Sequence, residues 1–186
     1  MRIISGSSKG KKIFIPKDNN TRPLRDMVKE SIFNLIKHSK KIKIKIEKSH
    51  ILDLFSGSGS FGLECISRGA KKVTFIENYS SILNILKKNI NLLDAVSSSK
   101  IIEKNFFDIL KSERFLSSKF DIIFLDPPFK EKRIDPLLKR IKEIDIIKKD
   151  GIIIIHRHKK DNQDFNNNFN IVDQRTYGIS RIIIGN

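Results

Sequence analysis

The sequence predicts an α/β fold in which helices cover both faces of a mostly parallel β-sheet. From residue 51 onward, short apolar segments alternate with segments of helical periodicity. A strand that is buried on both faces carries apolar side chains at nearly every position, and the short segments have that composition. We predict strands at 51–55, 73–76, 100–102, 122–125 and 152–155, and helices at 61–68, 82–93 and 134–147.

The last part of the chain predicts an antiparallel end to this sheet. After a polar loop at 157–168, the segments 170–175 and 177–184 have the pattern of a terminal β-hairpin. These two strands bring the predicted sheet to seven strands, in the arrangement of a Rossmann-like domain.

The first 48 residues follow a different pattern, and we treat 1–48 as a basic extension of a domain that spans 49–186. Residues 2–4 and 12–15 predict a small β-hairpin with a Ser-, Gly- and Lys-rich loop between them. The extension and the domain together suit a chain of 186 residues, which is too short for two full domains.

A helix and a lysine-rich segment complete the predicted extension. Four apolar residues recur at helical spacing, and Lys29 and Glu30 are expected on the exposed face of that helix. The four are Val28, Ile32, Leu35 and Ile36. Residues 40–48 alternate lysine with isoleucine, which fits an edge strand or a solvated surface segment, and we favour the second.

Composition excludes several classes of protein. Hydrophobic residues make up 39% of the chain and charged residues 31%, and there is no run of about 20 apolar residues that could span a membrane. Cys65 is the only cysteine, which excludes a disulfide framework and a cysteine-based zinc site within one chain. The N-terminus has no apolar stretch of signal-peptide length, so we expect a cytoplasmic protein.

The charge is strongly positive and is concentrated near the N-terminus. The net charge is +16, and the first 50 residues contain 14 basic and four acidic side chains. A basic surface of this kind predicts a polyanionic partner such as nucleic acid. An AT-rich codon usage could account for much of the lysine content but not for its uneven distribution.

A glycine-rich turn follows the first predicted strand. Gly57 and Gly59 lack side chains, so a ligand could lie directly on their backbone amides beside the start of the next helix. Gly57-x-Gly59-x-x-Gly62 matches the dinucleotide-binding fingerprint, and Glu77 ends the second strand, where a carboxylate can accept both ribose hydroxyls. The turn therefore predicts an adenosine-containing ligand.

Asp53 narrows the choice of ligand. It is a carboxylate in an otherwise apolar strand, and its burial is costly unless the charge is paired. The ammonium group of a methionine moiety could pair with it, directly or through water. A nicotinamide cofactor offers no cation at that place.

The sequence Asp126-Pro127-Pro128-Phe129 follows the buried fourth strand. Each proline lacks an amide donor and stiffens the residue before it, so the Asp126 carboxylate and the Pro127 carbonyl are predicted to be rigid hydrogen-bond acceptors. Two acceptors of this kind would orient the exocyclic amine of a nucleobase and stabilise positive charge that develops on it. Phe129 offers a face on which an extruded base could stack.

His156 and His158 stand one residue apart at the end of the fifth strand and could suggest a metal site. Because no third ligand is in view, we expect no metal, and we expect histidines that face solvent or RNA.

These elements together resemble the class I S-adenosylmethionine-dependent methyltransferases that modify exocyclic amines. The elements are DLFSGSGSFGLE at 53–64, Glu77, and DPPF at 126–129. The ends of the chain are similar to the RsmD family of small-subunit rRNA guanine-N2 methyltransferases, and the resemblance covers nearly the whole sequence. The matching end segments are RIISGSSKGKKI at 2–13, TRPLRDMVKESIFN at 21–34 and YGISRIII at 177–184.

The resemblance implies roles for individual residues. Asp53 and the glycine turn would hold the methionine part of S-adenosylmethionine, Asn105 would face its adenine, and Asp126 with Pro127 would receive the guanine amine. The full set of expected cofactor contacts is Asp53, Phe55, Gly57, Ser58, Gly59, Glu77, Asn78, Asn105, Phe106 and Asp126. Asp126, Pro127, Pro128 and Phe129 are the expected catalytic residues. Lys9, Lys11, Lys12, Arg22 and Arg25 are the expected RNA contacts, and Arg22 has the alternative role of helping to close the cofactor site.

The implied function is methylation of a guanine in 16S rRNA by a monomer, with the rRNA presented in a small ribosomal subunit or an assembly intermediate. Three alternatives stay open: an N6-adenine methyltransferase that acts on DNA or RNA, an NAD-dependent oxidoreductase, and a non-catalytic RNA-binding assembly factor. The oxidoreductase would need a substrate domain, and the part of the chain after DPPF is short for one.

Overall fold

The protein forms one seven-stranded sheet with helices packed on both of its faces. The structure, a computed structural model, describes residues 1–16, 24–111, 118–163, 165 and 168–186. The strands are β1 (His50–Asp53), β2 (Lys72–Ile76), β3 (Ser99–Ile102), β4 (Phe120–Leu125), β5 (Ile147–His158), β6 (Ile171–Tyr177) and β7 (Ser180–Gly185). The helices are α1 (Asp26–His38), α2 (Ser60–Ser67), α3 (Ser80–Leu92), α4 (Phe106–Lys111) and α5 (Ile134–Glu143).

The strands lie in the order β3-β2-β1-β4-β5-β7-β6. Strands β1 to β5 pair in parallel, whereas β7 runs antiparallel to both β5 and β6. The prediction of a mostly parallel, seven-stranded, Rossmann-like sheet with a C-terminal antiparallel hairpin is confirmed.

Successive residues of the central strands face opposite sides of the sheet, and both sides are buried. Ile51 and Ile122 belong to one apolar cluster, whereas Leu52 and Ile123 belong to the other. The first cluster includes side chains of α1, α2 and α3, and the second includes side chains of α4 and α5. The two-sided burial explains why these strands are apolar at nearly every position.

The N-terminal residues pack into the same core as the sheet. Ile3 and Ile13 are buried in the cluster that contains Ile51. The predicted hairpin at 2–4 and 12–15 is reduced to a single antiparallel bridge between Arg2 and Lys12.

Two other elements differ from the sequence prediction. The helix predicted at 134–147 ends at Glu143. The strand predicted at 152–155 begins earlier, at Ile147, so the last part of the predicted helix is instead the start of β5. The short helix α4 was not predicted. Residues 40–48 contain no strand, yet Ile42 and Ile46 are buried while the lysines between them are exposed, as expected of a surface segment.

None of the helices described in the structure combines the length and the apolar character that a membrane crossing would require.

A buried cluster of charges fastens the N-terminal segment to α2. The carboxylate of Glu64 accepts hydrogen bonds from the backbone amides of Ile4 and Ser5 at 2.8 and 2.9 Å, and from Arg68 Nε at 2.8 Å. Lys29 Nζ lies 3.6 Å from Glu64 Oε2, and both side chains are fully buried. Every oxygen of this carboxylate is therefore satisfied by a group from outside the strands.

The prediction that Lys29 lies on the exposed face of α1 is wrong, whereas Glu30 is exposed as expected. Burial lowers the pKa of Lys29, and the negative charges of Glu64 and Asp26 oppose that shift. Its Nζ also donates to the Arg2 carbonyl at 2.7 Å. Helical periodicity alone could not reveal a carboxylate on another helix that makes this burial possible.

We expect Glu64→Leu to lower the free energy of unfolding by about 3–5 kcal/mol, because it leaves the Lys29 ammonium buried without its Glu64 partner. Urea denaturation at neutral pH measures this change. The exposed Glu30 of α1 offers a control, since Glu30→Leu should change the stability by less than about 0.5 kcal/mol. A Glu64→Leu protein as stable as the wild type would contradict this account of the cluster.

Candidate active site

The glycine turn and the Asp-Pro-Pro-Phe segment lie side by side because β1 and β4 are neighbours in the sheet. Asp53 of β1 pairs in register with Phe124 of β4, and the Leu54 amide donates to the Phe124 carbonyl at 3.0 Å. The chain leaves β1 toward β2 on one side, while β4 lies on the other side. The carboxyl ends of two such strands enclose a crevice, which is where open α/β sheets bind ligands.

The glycine turn is held in its shape by positive backbone φ angles and by internal hydrogen bonds. Gly57 and Gly59 have φ of 54° and 82°. The Gly59 amide donates to the Ser56 carbonyl at 2.8 Å, and the Gly57 amide donates to Glu77 Oε2 at 2.9 Å. Both amides therefore have partners within the chain, and direct contact between them and a ligand stays a prediction.

Gly62 has a different role from the two glycines before it. A Cβ atom at Gly62 would lie 2.3 Å from the ring of Phe75 in β2. The absence of a side chain thus lets α2 pack closely on the sheet. Ser58, which stands between Gly57 and Gly59 in the turn, is buried.

Glu77 stands at the end of β2 and binds the glycine turn. Besides the Gly57 amide on Oε2, its Oε1 accepts the amides of Asn78 and Tyr79, both at 2.9 Å. These three donors fix the direction of the carboxylate. Asn78 contributes its backbone amide here, and the residue is exposed.

Asp53 is a buried acid of the site, and its pKa departs strongly from the ordinary value. It is 1% exposed, its Oδ2 accepts the Gly62 amide at 3.1 Å, and its Oδ1 has no hydrogen-bond partner among the described residues. Burial raises the pKa of this carboxyl group to about 8; the Gly62 hydrogen bond opposes the rise, and the charges of Asp126 and Glu77 add to it. An unpaired buried carboxyl oxygen with two acidic neighbours suits a cationic ligand group, such as the ammonium of a methionine moiety.

The predicted adenine contacts lie around the start of α4. Asn105 is exposed, and its Oδ1 accepts the Phe107 amide at 2.9 Å, so that the side chain caps the helix. Phe106 is buried, and its ring lies 5.3 Å from the ring of the half-buried Phe55. This aromatic pair belongs to the apolar cluster that β1 and β4 share.

The Asp-Pro-Pro-Phe segment forms a corner, and a buried arginine donates hydrogen bonds to its backbone carbonyls. Arg157 of β5 is fully buried and donates to the carbonyls of Pro128, Phe129 and Glu131 at 3.2, 3.0 and 2.9 Å. It also forms a buried ion pair with Asp161. Three carbonyls from one short segment are thus bound by one rigid guanidinium group. The sequence prediction missed this residue, although an arginine directly after an apolar strand was a possible signal.

The four residues of the corner differ in exposure. Pro127 is buried, Pro128 is exposed, and Asp126 and Phe129 are half-buried. The Phe129 ring meets the rings of two histidines edge-on, at centroid distances of 5.7 Å for His156 and 5.2 Å for His158.

The expectation that both histidines face solvent or RNA is wrong for His156. This residue is 8% exposed, with Nδ1 2.7 Å from Asp126 Oδ1 and Nε2 2.8 Å from Ser180 Oγ. His158 is half-buried, and its Nδ1 accepts the Lys160 amide at 3.1 Å. In the part of the chain that the structure describes, no three histidine, cysteine or acidic side chains are grouped as metal ligands would be.

Asn89 of α3 connects the N-terminal segment to the glycine turn. Its side chain is fully buried and bonds to both the amide and the carbonyl of Phe14, at 2.8 and 2.9 Å, and donates to the Ser58 carbonyl at 2.9 Å. Phe14 as a whole residue is 55% exposed. The sequence prediction missed Asn89, although an amide on the apolar face of a helix needs a polar partner.

Of the predicted RNA contacts, Lys9, Lys11, Lys12 and Arg25 are exposed, whereas Arg22 lies outside the described residues. The loop that carries Lys9 is bound to the end of α2, since the Ser8 amide donates to Ser67 Oγ at 3.0 Å. The glycine turn is at the opposite end of α2. Ser8 and the glycine turn are therefore at opposite ends of α2, whereas Phe14, two residues after Lys12, is connected through Asn89 to Ser58 of the turn.

An open groove of about 420 Å³ lies at the amino ends of β1, β4 and β5, away from the candidate active site. Asp121 in this groove accepts hydrogen bonds from Lys148 Nζ at 2.8 Å and from the His50 amide at 2.7 Å. The lining includes Lys43, Lys45, Lys48, Lys148 and Lys149 together with Glu47, Asp121 and Asp150. Lysines of the 40–48 segment thus add positive charge at the amino ends of these strands.

Comparison with known proteins identifies close relatives. The family model described as conserved hypothetical protein 95 matches residues 1–186. The ribosomal RNA small subunit methyltransferase D of Haemophilus influenzae is 34% identical over 180 residues, which are 96% of this chain and 90% of the relative. The enzyme of the same name from Escherichia coli strain K12 is 30% identical over 143 residues, 77% of this chain and 67% of the relative.

A solved structure has the same fold. The Escherichia coli protein yhhF superposes with a TM-score of 0.83 at 24% identity, over 100% of this chain and 96% of that protein. The agreement covers the whole arrangement of sheet and helices.

The raised pKa of Asp53 predicts how stability depends on pH. The folded protein keeps a proton on this group up to about pH 8, whereas an ordinary aspartate loses it near 3.8. Between these values the folded state binds more protons than the unfolded chain, so this group lowers the free energy of unfolding as the pH rises.

We expect Asp53→Asn to remove that contribution while an amide oxygen still accepts the Gly62 amide. Relative to the wild type, the variant should gain stability with rising pH, by up to about 1.4 kcal/mol per pH unit between about pH 5 and pH 7. Urea denaturation of both proteins across this range measures the difference. A difference that does not vary with pH would show that Asp53 ionises normally in the folded protein.

Proposed function

This chain belongs to the conserved hypothetical protein 95 family, the RsmD family, and from that premise we propose that it is a 16S rRNA methyltransferase. Its methyl donor is S-adenosylmethionine, and its acceptor is the exocyclic N2 amine of a guanine. The observation that carries the proposal is the unsatisfied Asp53 Oδ1, which lies buried beside two further carboxylates of the same crevice.

Three carboxylates define where the cofactor would be held. Asp53 would receive the ammonium group, and Glu77, which already binds the glycine turn, would receive the ribose hydroxyls. The charge of Asp126 contributes to the raised pKa of Asp53, so the acceptor corner and the cofactor side of the crevice share one electrostatic environment. Three acidic side chains around one crevice favour a ligand that carries two positive charges, an ammonium and a sulfonium.

When bound, S-adenosylmethionine would supply a methyl group attached to a positively charged sulfur. The guanine nitrogen would bond to the methyl carbon, and the electrons of the broken carbon–sulfur bond would stay on the sulfur. The chain's own contribution is to position the nitrogen. Asp126 and the Pro127 carbonyl would accept its two N–H bonds and stabilise the positive charge that develops on it. The surplus proton of the methylated amine then leaves to Asp126 or to water, so a strong base is not needed.

The rigidity of the corner supports this role. Arg157 binds the carbonyls of Pro128, Phe129 and Glu131, so the backbone that directly follows Asp126 and Pro127 is held in place. We propose that an extruded base stacks against Phe129, which is half-buried beside the acceptor residues. The same corner could receive the N6 amine of adenine, and the choice of guanine rests on the family.

We propose that the basic surface binds the rRNA outside the crevice that receives the reacting base. Lys9, Lys11 and Lys12 are exposed beside Ser8, which is bound to the end of α2, and Arg25 at the start of α1 adds a further positive charge. Phosphate contacts there would hold the RNA without reading its sequence. The substrate is then a small ribosomal subunit or an assembly intermediate, bound by a cytoplasmic monomer.

The product of the reaction tests the function. We expect the purified protein to methylate small subunits from a strain that lacks its gene, and mass spectrometry of the rRNA to locate the methyl group on N2 of a guanine. Asp126→Ala should lower kcat by at least about 100-fold while the affinity for S-adenosylhomocysteine stays within about threefold. Methylated adenine, or an active Asp126→Ala variant, would contradict the assignment.

Reversing the charges of Lys9, Lys11 and Lys12 to glutamate should weaken rRNA binding and make its salt dependence less steep, because fewer counterions are released from the phosphates. Binding measured at several salt concentrations gives the slope. The exposed Lys71 and Lys72, at the start of β2, and the exposed Lys139 of α5 provide a matched triple reversal that should leave the slope closer to that of the wild type. An equal effect of both sets would assign the binding to total charge instead of to this loop.

A further inference from the structure

We propose that His156 is a positioning residue for the acceptor carboxylate: it occupies one oxygen of Asp126 and thereby fixes the other toward the guanine amine. This inference rests on the proposed function, because it gives Asp126 the role described above. Nothing in the sequence pattern assigned His156 a part in the reaction.

The geometry follows from the register of the sheet. Leu125 of β4 pairs with Ile155 of β5, so the next residue of each strand, Asp126 and His156, also lie opposite each other. His156 Nδ1 is 2.7 Å from Asp126 Oδ1, which is a short distance for an N–H···O hydrogen bond. His156 lies within β5, and Asp126 directly follows the last residue of β4, so the paired strands bring the two side chains together.

A third strand fixes the orientation of the imidazole ring. Ser180 at the start of β7 is buried, and its Oγ lies 2.8 Å from His156 Nε2. The ring is thus bound at both nitrogens, and it cannot rotate about its axis without losing both hydrogen bonds. The chain Asp126–His156–Ser180 runs across β4, β5 and β7 at one edge of the sheet.

The hydrogen-bond network determines which nitrogen carries the proton. An ionised Asp126 can only accept a hydrogen bond, so we assign a proton to Nδ1 of His156. The Ser180 hydroxyl can donate to Nε2 or accept from it, so this arrangement is satisfied whether His156 is neutral or positively charged. In either state one oxygen of Asp126 is occupied by His156, and the other is left for the substrate.

The contribution of His156 to catalysis is therefore one of orientation. Without it, the Asp126 side chain could rotate about its two bonds, and its oxygens could turn toward solvent. A misplacement of about 1 Å of an orienting group can cost about 100-fold in rate, with little effect on how tightly the ligands bind. A residue with only a packing role would change stability and leave this balance between kcat and KM unaffected.

Substitutions that keep or remove the Nδ1 donor separate an orienting role from a packing role. The amide of Asn stands close to the position of Nδ1 and can donate to Asp126, whereas Leu fills the same space without a donor. We expect His156→Leu to lower kcat by about 100-fold and to leave KM and the affinity for S-adenosylhomocysteine within about threefold. His156→Asn should recover kcat to within about tenfold of the wild type. His38→Leu, at the exposed end of α1, is the control with unchanged activity.

A spectroscopic measurement on the folded wild-type protein tests the contact directly. In ¹⁵N-histidine NMR, we expect Nδ1 of His156 to carry a slowly exchanging, low-field proton, and Asp126→Ala should abolish that resonance. An unprotonated Nδ1 in the wild type would overturn the proposal even if His156→Leu failed to fold. A His156→Leu enzyme with wild-type kcat would overturn it as well.

The two proposals fail in different ways. If the wild-type protein methylates no guanine in small-subunit rRNA, the proposed function is wrong. If the wild type is active and Asp126→Ala is impaired while His156→Leu keeps the wild-type kcat, the function stands and the positioning role of His156 does not.

Discussion

The parallel pairing of β1 with β4 is the constraint on which the candidate active site depends. It joins strands that are far apart in the chain and brings the ends of both to one edge of the sheet. The glycine turn and the Asp-Pro-Pro-Phe corner then face a common crevice, as the influence of Asp126 on the pKa of Asp53 indicates. Every role assigned to these residues presupposes that the two segments begin from adjacent, buried strands.

Polar groups inside the molecule connect separate parts of the chain to this crevice. Asn89 links the N-terminal segment to the glycine turn, and Arg157 links β5 to the acceptor corner. Because a buried polar group is costly without a partner, each of these contacts specifies one arrangement of the segments it joins. The site is thus positioned by a small number of buried hydrogen bonds and not by apolar packing alone.

Much of the fold could be predicted from sequence because the central strands, such as Ile122–Leu125, are apolar on both faces and bounded by clear turns. The motif residues were likewise predictable, since Gly57 and Pro127 are constrained by local backbone chemistry. Lys29, Asn89, Arg157 and His156 were misplaced or missed for one physical reason. Their partners lie on elements distant in sequence, and a single strand or helix pattern contains no information about contacts of that kind.

The Glu64 carboxylate, which receives the amides of Ile4 and Ser5, has a consequence for synthesis on the ribosome. Ile4 and Ser5 precede α2 in the chain, so they leave the exit tunnel before the helix that binds them. During that interval this segment and the lysines that follow it are exposed to surrounding polyanions. The segment is therefore synthesised before α2 but can pack only after α2 has emerged.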